Sequence, residues 1–274
     1  MATESITITP GTAKRLISDI ISIRKNPLTD QGIYYEHDED NMLTGYAMIV
    51  GPSDTPYAYG YFFFKFTFPS DYPFSPPIVK YCTQNSINRT RFNPNLYRNG
   101  KVCISILNTW QGDPWSGCQT ISSVLLTLCT LFTKKPLLNE PGVHQYHSDI
   151  DPYSKIISYE TIATAIIKMS DETYRPIIFN RFRDDIIKLN KVNRTNIQAN
   201  IDNIKQTHHN GKLITCSFYS MKCTILYDKI QLCDDLNDSN DLNDSNDSND
   251  SNDLNDSNDS IDSNTDKTKL DTTI

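Results

Sequence analysis

The sequence predicts an α+β fold on three observations: a helical apolar period near the N-terminus, a middle rich in aromatic residues and prolines, and further helical periods after residue 120. After Pro10-Gly11, Leu16, Ile17, Ile20 and Ile21 recur at helical spacing between Lys14, Arg15, Ser18 and Asp19. This helix is expected to end near Asn26-Pro27, because the residue before a proline avoids the α region. Extended segments follow at residues 45–50 and 57–68, the second packed with Tyr and Phe and closed by Pro69; Gly51 to Pro56 between them is turn chemistry. Pro73, Pro76 and Pro77 impose a stiff irregular stretch, after which 78–82 reads as a short strand.

Ile121, Val124, Leu125, Leu128, Leu131 and Phe132 predict a buried helix over 121–132. Another is expected over 158–169, with Ile162, Ala165, Ile166 and Met169 on one face, and residues 176–205 are helix-like but increasingly polar. Residues 208–233 suggest a hairpin turning at Asn210-Gly211.

Composition divides the chain. Its net charge is −7, yet from Asp234 onward there are 13 Asp and 2 Lys, a charge of −11, so residues 1–233 carry +4. From Asp235 to Asn264 the chain steps in triplets, nine reading Asp-Ser-Asn or Asp-Leu-Asn and one Asp-Ser-Ile. Sparse leucines in a field of like charge cannot offset chain entropy, so a disordered tail is expected there. A −11 tail tethered to a +4 body is expected to make charge-driven contacts that weaken as salt shortens the Debye length.

Several classes are set aside. No apolar run of about 18 residues marks a membrane span, and the first 15 residues have no apolar signal core. The seven Cys (82, 103, 118, 129, 216, 223, 233) contain no C-x-x-C pair, which argues against a zinc ribbon or disulfide scaffold and for reduced thiols in cytoplasm or nucleus. A charge of +4 on 233 residues is too weak to indicate nucleic acid. His144-x-x-His147 alone is a weak metal signal, and no metal site is expected.

The stretch from Arg91 to Trp115 carries the chemistry: one central thiol, Cys103, has Asn95 eight residues before it and both tryptophans after it. A reactive cysteine needs access and a setting. No histidine is placed as a protease base.

These residues resemble the ubiquitin-conjugating enzyme family from about Thr12 to Arg183. The matching pieces stand in family order: the basic first helix, residues 49–57 (IVGPSDTPY), the Phe-rich strand, Tyr72-Pro73-Phe74-x-Pro76-Pro77, Asn93-Pro94-Asn95, Cys103, Trp115-Ser116 and Asn139-Glu140-Pro141. The runs around Phe92–Asn95, Arg98–Leu107 and Asn139–Gly142 are most similar to the large members with extended C-termini, including those fused to apoptosis-inhibitor repeats.

The resemblance implies an N-terminal helix, an antiparallel sheet of about four strands and C-terminal helices. It implies a layout of an N-terminal arm (1–9), catalytic core (10–185), C-terminal extension of uncertain structure (186–233) and acidic tail (234–274). It further implies that Cys103 accepts ubiquitin as a thioester from an activating enzyme and passes it to a substrate lysine, usually with a ligase. The chain itself would need no cofactor, since the activating enzyme uses the ATP. Asn95 would donate to the oxyanion or order the surrounding loop; Tyr97, Ser105 and Glu140 would line the lysine's approach. Lys14 and Arg15 would contact the activating enzyme, and Phe74, Trp115 and Ser116 the ligase. The family histidine is replaced by Asn93, expected to be structural, and the loop between Ile106 and Trp115 is longer than in minimal members, which would reshape the thioester's rim. Cys103 is expected to be exposed, and Cys118 to be a packing residue. An inactive ubiquitin-binding variant of the fold, or a cysteine hydrolase on another fold, are the competing readings.

Overall fold

In the computed structural model, which describes residues 8–84, 90–170 and 176–232, the first helix forms as α1 (Pro10–Lys25). Thr9 caps it by accepting from the Thr12 amide at 3.1 Å, and Pro10 occupies the first turn, where its missing N–H costs nothing. Leu16, Ile20 and Ile23 face the core. The expected arm (residues 1–9) lies mostly, and the acidic tail wholly, outside the described residues.

Four strands follow as an antiparallel meander in the order β1-β2-β3-β4: β1 (Ile33–His37), β2 (Thr44–Val50), β3 (Tyr61–Thr67) and β4 (Ile78–Tyr81). Register pairs Ile33 with Ile49, Val50 with Tyr61 and Phe64 with Tyr81. The sequence reading lacked β1; its Ile-Tyr-Tyr run after Gly32 is short but β-prone.

The aromatic strand starts at Tyr61, four residues later than expected. Residues before it fold back on Gly51, whose amide donates to the Gly60 carbonyl at 2.9 Å. A Cβ at Gly51 would lie 1.8 Å from the Tyr57 carbonyl oxygen, so only glycine fits. Tyr57 is thereby buried, its hydroxyl donating to the Phe92 carbonyl at 2.6 Å. β3 is nearly continuous apolar sequence because both faces are covered. Phe62 meets Phe132 and Phe92 at ring distances of 4.6 and 5.7 Å, while Phe63 stacks on Phe182 at 6.0 Å.

The helices are α2 (Ile121–Cys129), α3 (Ile150–Glu160), α4 (Pro176–Arg181) and α5 (Arg183–Thr207). α2 opens with a reciprocal cap between Thr120 and Ser123. α3 begins eight residues before the expected start, because Pro152 falls in its first turn, where it is tolerated; it continues as a π-helical stretch, Thr161–Lys168. α5 covers the sheet through Ile186 and through Asn190, which accepts from the Tyr61 hydroxyl at 2.6 Å.

The expected hairpin exists, as β5 (Leu213–Cys216) and β6 (Met221–Thr224), but it turns at 217–220. Asn210-Gly211 instead leads from α5 into β5, with Asn210 Oδ1 accepting from the Tyr227 amide at 3.0 Å. No helix among the described residues is long and apolar enough to cross a membrane.

Candidate active site

The segment before Cys103 is built around Asn93, which is fully buried. Its amide nitrogen donates to the Leu131 carbonyl at 2.8 Å and the Tyr57 hydroxyl at 3.1 Å. Its Oδ1 accepts from the Asn95 backbone N–H at 2.9 Å and the Asn139 side chain at 3.4 Å. Both donors and the acceptor are thus used, as a buried amide requires. Asn95 is tied to Cys103 in turn: the Cys103 N–H donates to the Asn95 carbonyl at 2.8 Å, and the Asn95 side-chain amide donates to the Cys103 carbonyl at 2.6 Å.

The segment after Cys103 closes over it. Ser105–Leu107 forms one 3₁₀ turn, Asn108 takes a left-handed conformation (φ +56°), and Thr109 returns to the cysteine. The Cys103 thiol donates to the Thr109 carbonyl at 2.9 Å, and the Thr109 hydroxyl clips onto both the N–H and the carbonyl of Ile104, at 2.9 and 3.0 Å. Cys103 is therefore only 3% exposed, where the sequence reading expected an exposed thiol. Thr109, in the loop after Cys103, supplies the thiol's hydrogen-bond partner.

Other thiols differ. Burial pushes the Cys216 thiol up to about 11, with Asp149 adding to it, and raises Cys129 and Cys223 as well. These three are held as neutral thiols, poor nucleophiles. Cys118 is exposed, so it is not the packing residue expected.

Tyr97 and Ser105 flank the cysteine in sequence. The Tyr97 N–H donates to the Lys101 carbonyl at 2.9 Å, a tight turn completed by Gly100 at φ +88°. Ser105 lies opposite Gly112 and makes no side-chain hydrogen bond among the described residues. Glu140 is half-buried beside Asn139, and so follows the Asn93 network. Its carboxylate accepts from the Tyr219 hydroxyl. Arg91 lies between two rings, its guanidinium carbon 3.9 Å from the Tyr97 centroid and 4.0 Å from that of Tyr219. A cavity of about 350 Å³ is lined by Arg91, Tyr97, Arg98, Asn99 and Tyr219. Sequence reasoning missed Thr109, Arg91 and Tyr219; the only signal for the last was the Phe218-Tyr219 pair within a polar extension.

The expected docking residues separate into exposed and committed ones. Phe74 is 85% exposed and Ser116 is exposed, whereas Trp115 is 9% exposed and acts from below. Its indole N–H donates to the Pro73 carbonyl at 2.8 Å, tying the loop of Ser116 to that of Phe74. Lys14 is exposed, but Arg15 spans to Asp19 and to the carbonyls of Gly117 and Gln119, both at 2.5 Å, joining α1 to the Ser116 loop. Among the described residues no group of three or more His, Cys, Asp or Glu is placed to hold a metal ion.

Residues 15–161 match the family described as ubiquitin-conjugating enzyme. The chain is 46% identical over 164 residues to the human ubiquitin-conjugating enzyme E2 Z, which covers 59% of this chain and 46% of that protein. It is 46% identical over 157 residues to the Xenopus tropicalis protein of the same name, covering 57% of this chain and 49% of the relative. It is 43% identical over 138 residues to the human dual E2 ubiquitin-conjugating enzyme/E3 ubiquitin-protein ligase BIRC6, covering 47% of this chain and 3% of that protein. The chain thus spans about half the length of the E2 Z relatives. With the matched region running from α1 through α3 and containing the whole Asn93–Cys103 frame, the chain belongs to the ubiquitin-conjugating enzyme family.

Proposed function

We propose that the chain accepts ubiquitin on Cys103 Sγ from an activating enzyme and transfers it to a substrate lysine, with a ligase docking at Phe74 and Ser116. Lys14 on the outer face of α1 serves the activating enzyme. The observation that carries this reading is the double hydrogen bonding of Asn95 to Cys103, which fixes the one family-motif cysteine in a braced turn. In loading, the Cys103 thiolate attacks the activated ubiquitin carbonyl, a C–S bond forms, and the activating enzyme's thiol leaves. In discharge, the lysine amine attacks the thioester carbonyl, the C–S bond breaks, and the Cys103 thiol is regenerated.

A free lysine has a pKa near ~10.4 and is mostly protonated at neutral pH. Glu140 and Tyr97 orient it and Ser105 lines its path, while desolvation on the rim favours the neutral amine. The 2.6 Å bond from Asn95 to the Cys103 carbonyl supports a role in loop order. Service to the oxyanion would require the same amide to leave that carbonyl. Loading also requires Thr109 to release the thiol. The reaction requires no metal or cofactor on this chain, and reduced cytoplasm or nucleus suits a free catalytic thiol.

One observation favours a second reading. A thiol at 3% exposure, bonded to Thr109, also suits a ubiquitin-binding variant without carrier activity. Incubation with activating enzyme, ATP and ubiquitin separates them on gels run with and without reductant. A thiol-sensitive adduct supports the carrier reading; its absence leaves the binding variant.

A further inference from the structure

The hairpin turn at residues 217–220 is clamped against the acceptor side of the site from several directions. Arg98 Nη2 donates to the Tyr219 carbonyl at 2.7 Å, and the Arg91 N–H donates to Met221 Sδ at 3.4 Å. Ser217 donates to Asp149, and the Phe218 ring meets His147 edge-on at 5.2 Å. Within the turn Tyr219 and Ser220 both hold positive φ, +57° and +49°. Such a conformation is unfavourable for a bulky side chain and persists only where surrounding contacts over-determine it. Glycine or asparagine would serve a hairpin better. The tyrosine therefore meets a need other than turning.

Its two ends supply that need. The hydroxyl donates to Glu140 Oε2, and Oε1 has no partner among the described residues. The ring forms one side of the sandwich that fixes Arg91, whose other side is Tyr97. One side chain from the extension thus links two of the three residues expected at the lysine's approach. Burial first, and the neighbouring carboxylate second, hold the Tyr219 hydroxyl well above the ordinary tyrosine range, so it stays a donor.

We propose that Tyr219 is a positioning residue for lysine acceptance: it holds Glu140 by one oxygen, leaving the other for the incoming amine, and through Arg91 it holds the Tyr97 wall. The hairpin is then part of the acceptor site, built from a region more than 100 residues beyond Cys103. This rests on the thioester reading above.

The test uses the full chain as wild type, Tyr219→Phe, Glu140→Gln and the double variant. Each is loaded with ubiquitin and then chased with a lysine-containing peptide over a range of concentrations. Tyr219→Phe keeps the ring on Arg91 and deletes only the hydroxyl. It should load within about 2-fold of wild type, with the maximal discharge rate about 10-fold lower, the scale of one hydrogen bond to a charged group, and the half-saturating peptide concentration unchanged. The double variant should be no slower than Glu140→Gln, because both remove one interaction. A maximal discharge rate for Tyr219→Phe within 2-fold of wild type, or losses that multiply in the double variant, overturns the proposal. A wild-type chain that never loads instead overturns the thioester reading beneath it.

Discussion

The two segments that meet at Cys103 are held in opposite ways. Before it, Asn93 is bonded to Tyr57, Leu131, Asn95 and Asn139, and Asn95 is bonded twice to the cysteine. After it, the loop over the thiol is held by Thr109, at Ile104, and by Asn108, whose Oδ1 accepts from the Trp115 N–H at 2.7 Å. Redundant bonding makes a frame that no single thermal opening releases, whereas a few bonds through two loop residues can open locally at smaller cost. On the proposed carrier function, the first side would set the geometry of attack and the second the access to the sulfur.

Breaking the frame should have the largest effect. Asn93→Ala leaves buried partners of the lost amide unsatisfied, at about 1–3 kcal/mol each. The expected loss is about 3 kcal/mol in denaturant unfolding, a large share of a typical domain's stability. A loss under 1 kcal/mol would mean that the frame stands without Asn93.

Asn95→Ala is the next largest. Discharge to lysine is expected to fall about 10²-fold, the scale of one oxyanion donor, and loading much less, because the activating enzyme assists that step. Equal losses in both would assign Asn95 wholly to the 2.6 Å brace on Cys103.

The smallest change sharpens the other side. Thr109→Ala removes both hydroxyl bonds to Ile104 while keeping the carbonyl that the thiol meets and the 3.3 Å bond from the Thr109 N–H to the Ile104 carbonyl. Loss of two hydrogen bonds worth about 1 kcal/mol each predicts roughly 30-fold faster alkylation of Cys103, read by peptide mass spectrometry. An unchanged rate would show that the cover is held elsewhere.

The frame and its cover also differed in how far the sequence revealed them. Asn93, Asn95 and Cys103 were legible through their resemblance to the family motif, and the run of Phe62, Phe63, Phe64 and Phe66 announces a strand buried on both faces. The cover was legible only as extra loop length. That Thr109 returns to Ile104 depends on the left-handed turn at Asn108, a position glycine would have flagged but asparagine does not. Tyr219 was invisible for another reason: its contacts with Arg91, Arg98 and Glu140 are long-range, and no local period encodes them. Trp115 was assigned to the docking surface because the Trp115-Ser116 loop resembles the family's ligase-docking loop, yet its indole N–H finds its partner inward, at Pro73.

The central claim is that Cys103, and not the exposed Cys118, carries the ubiquitin. Replacing Cys103 by serine puts a hydroxyl where the thiol stands, and an oxygen ester resists thiol reductants that cleave a thioester. Cys103→Ser, incubated with activating enzyme, ATP and ubiquitin, should give an adduct that survives reductant, while the wild-type adduct disappears. A Cys103→Ser adduct that reductant still removes would contradict the account, since another cysteine would then hold the ubiquitin.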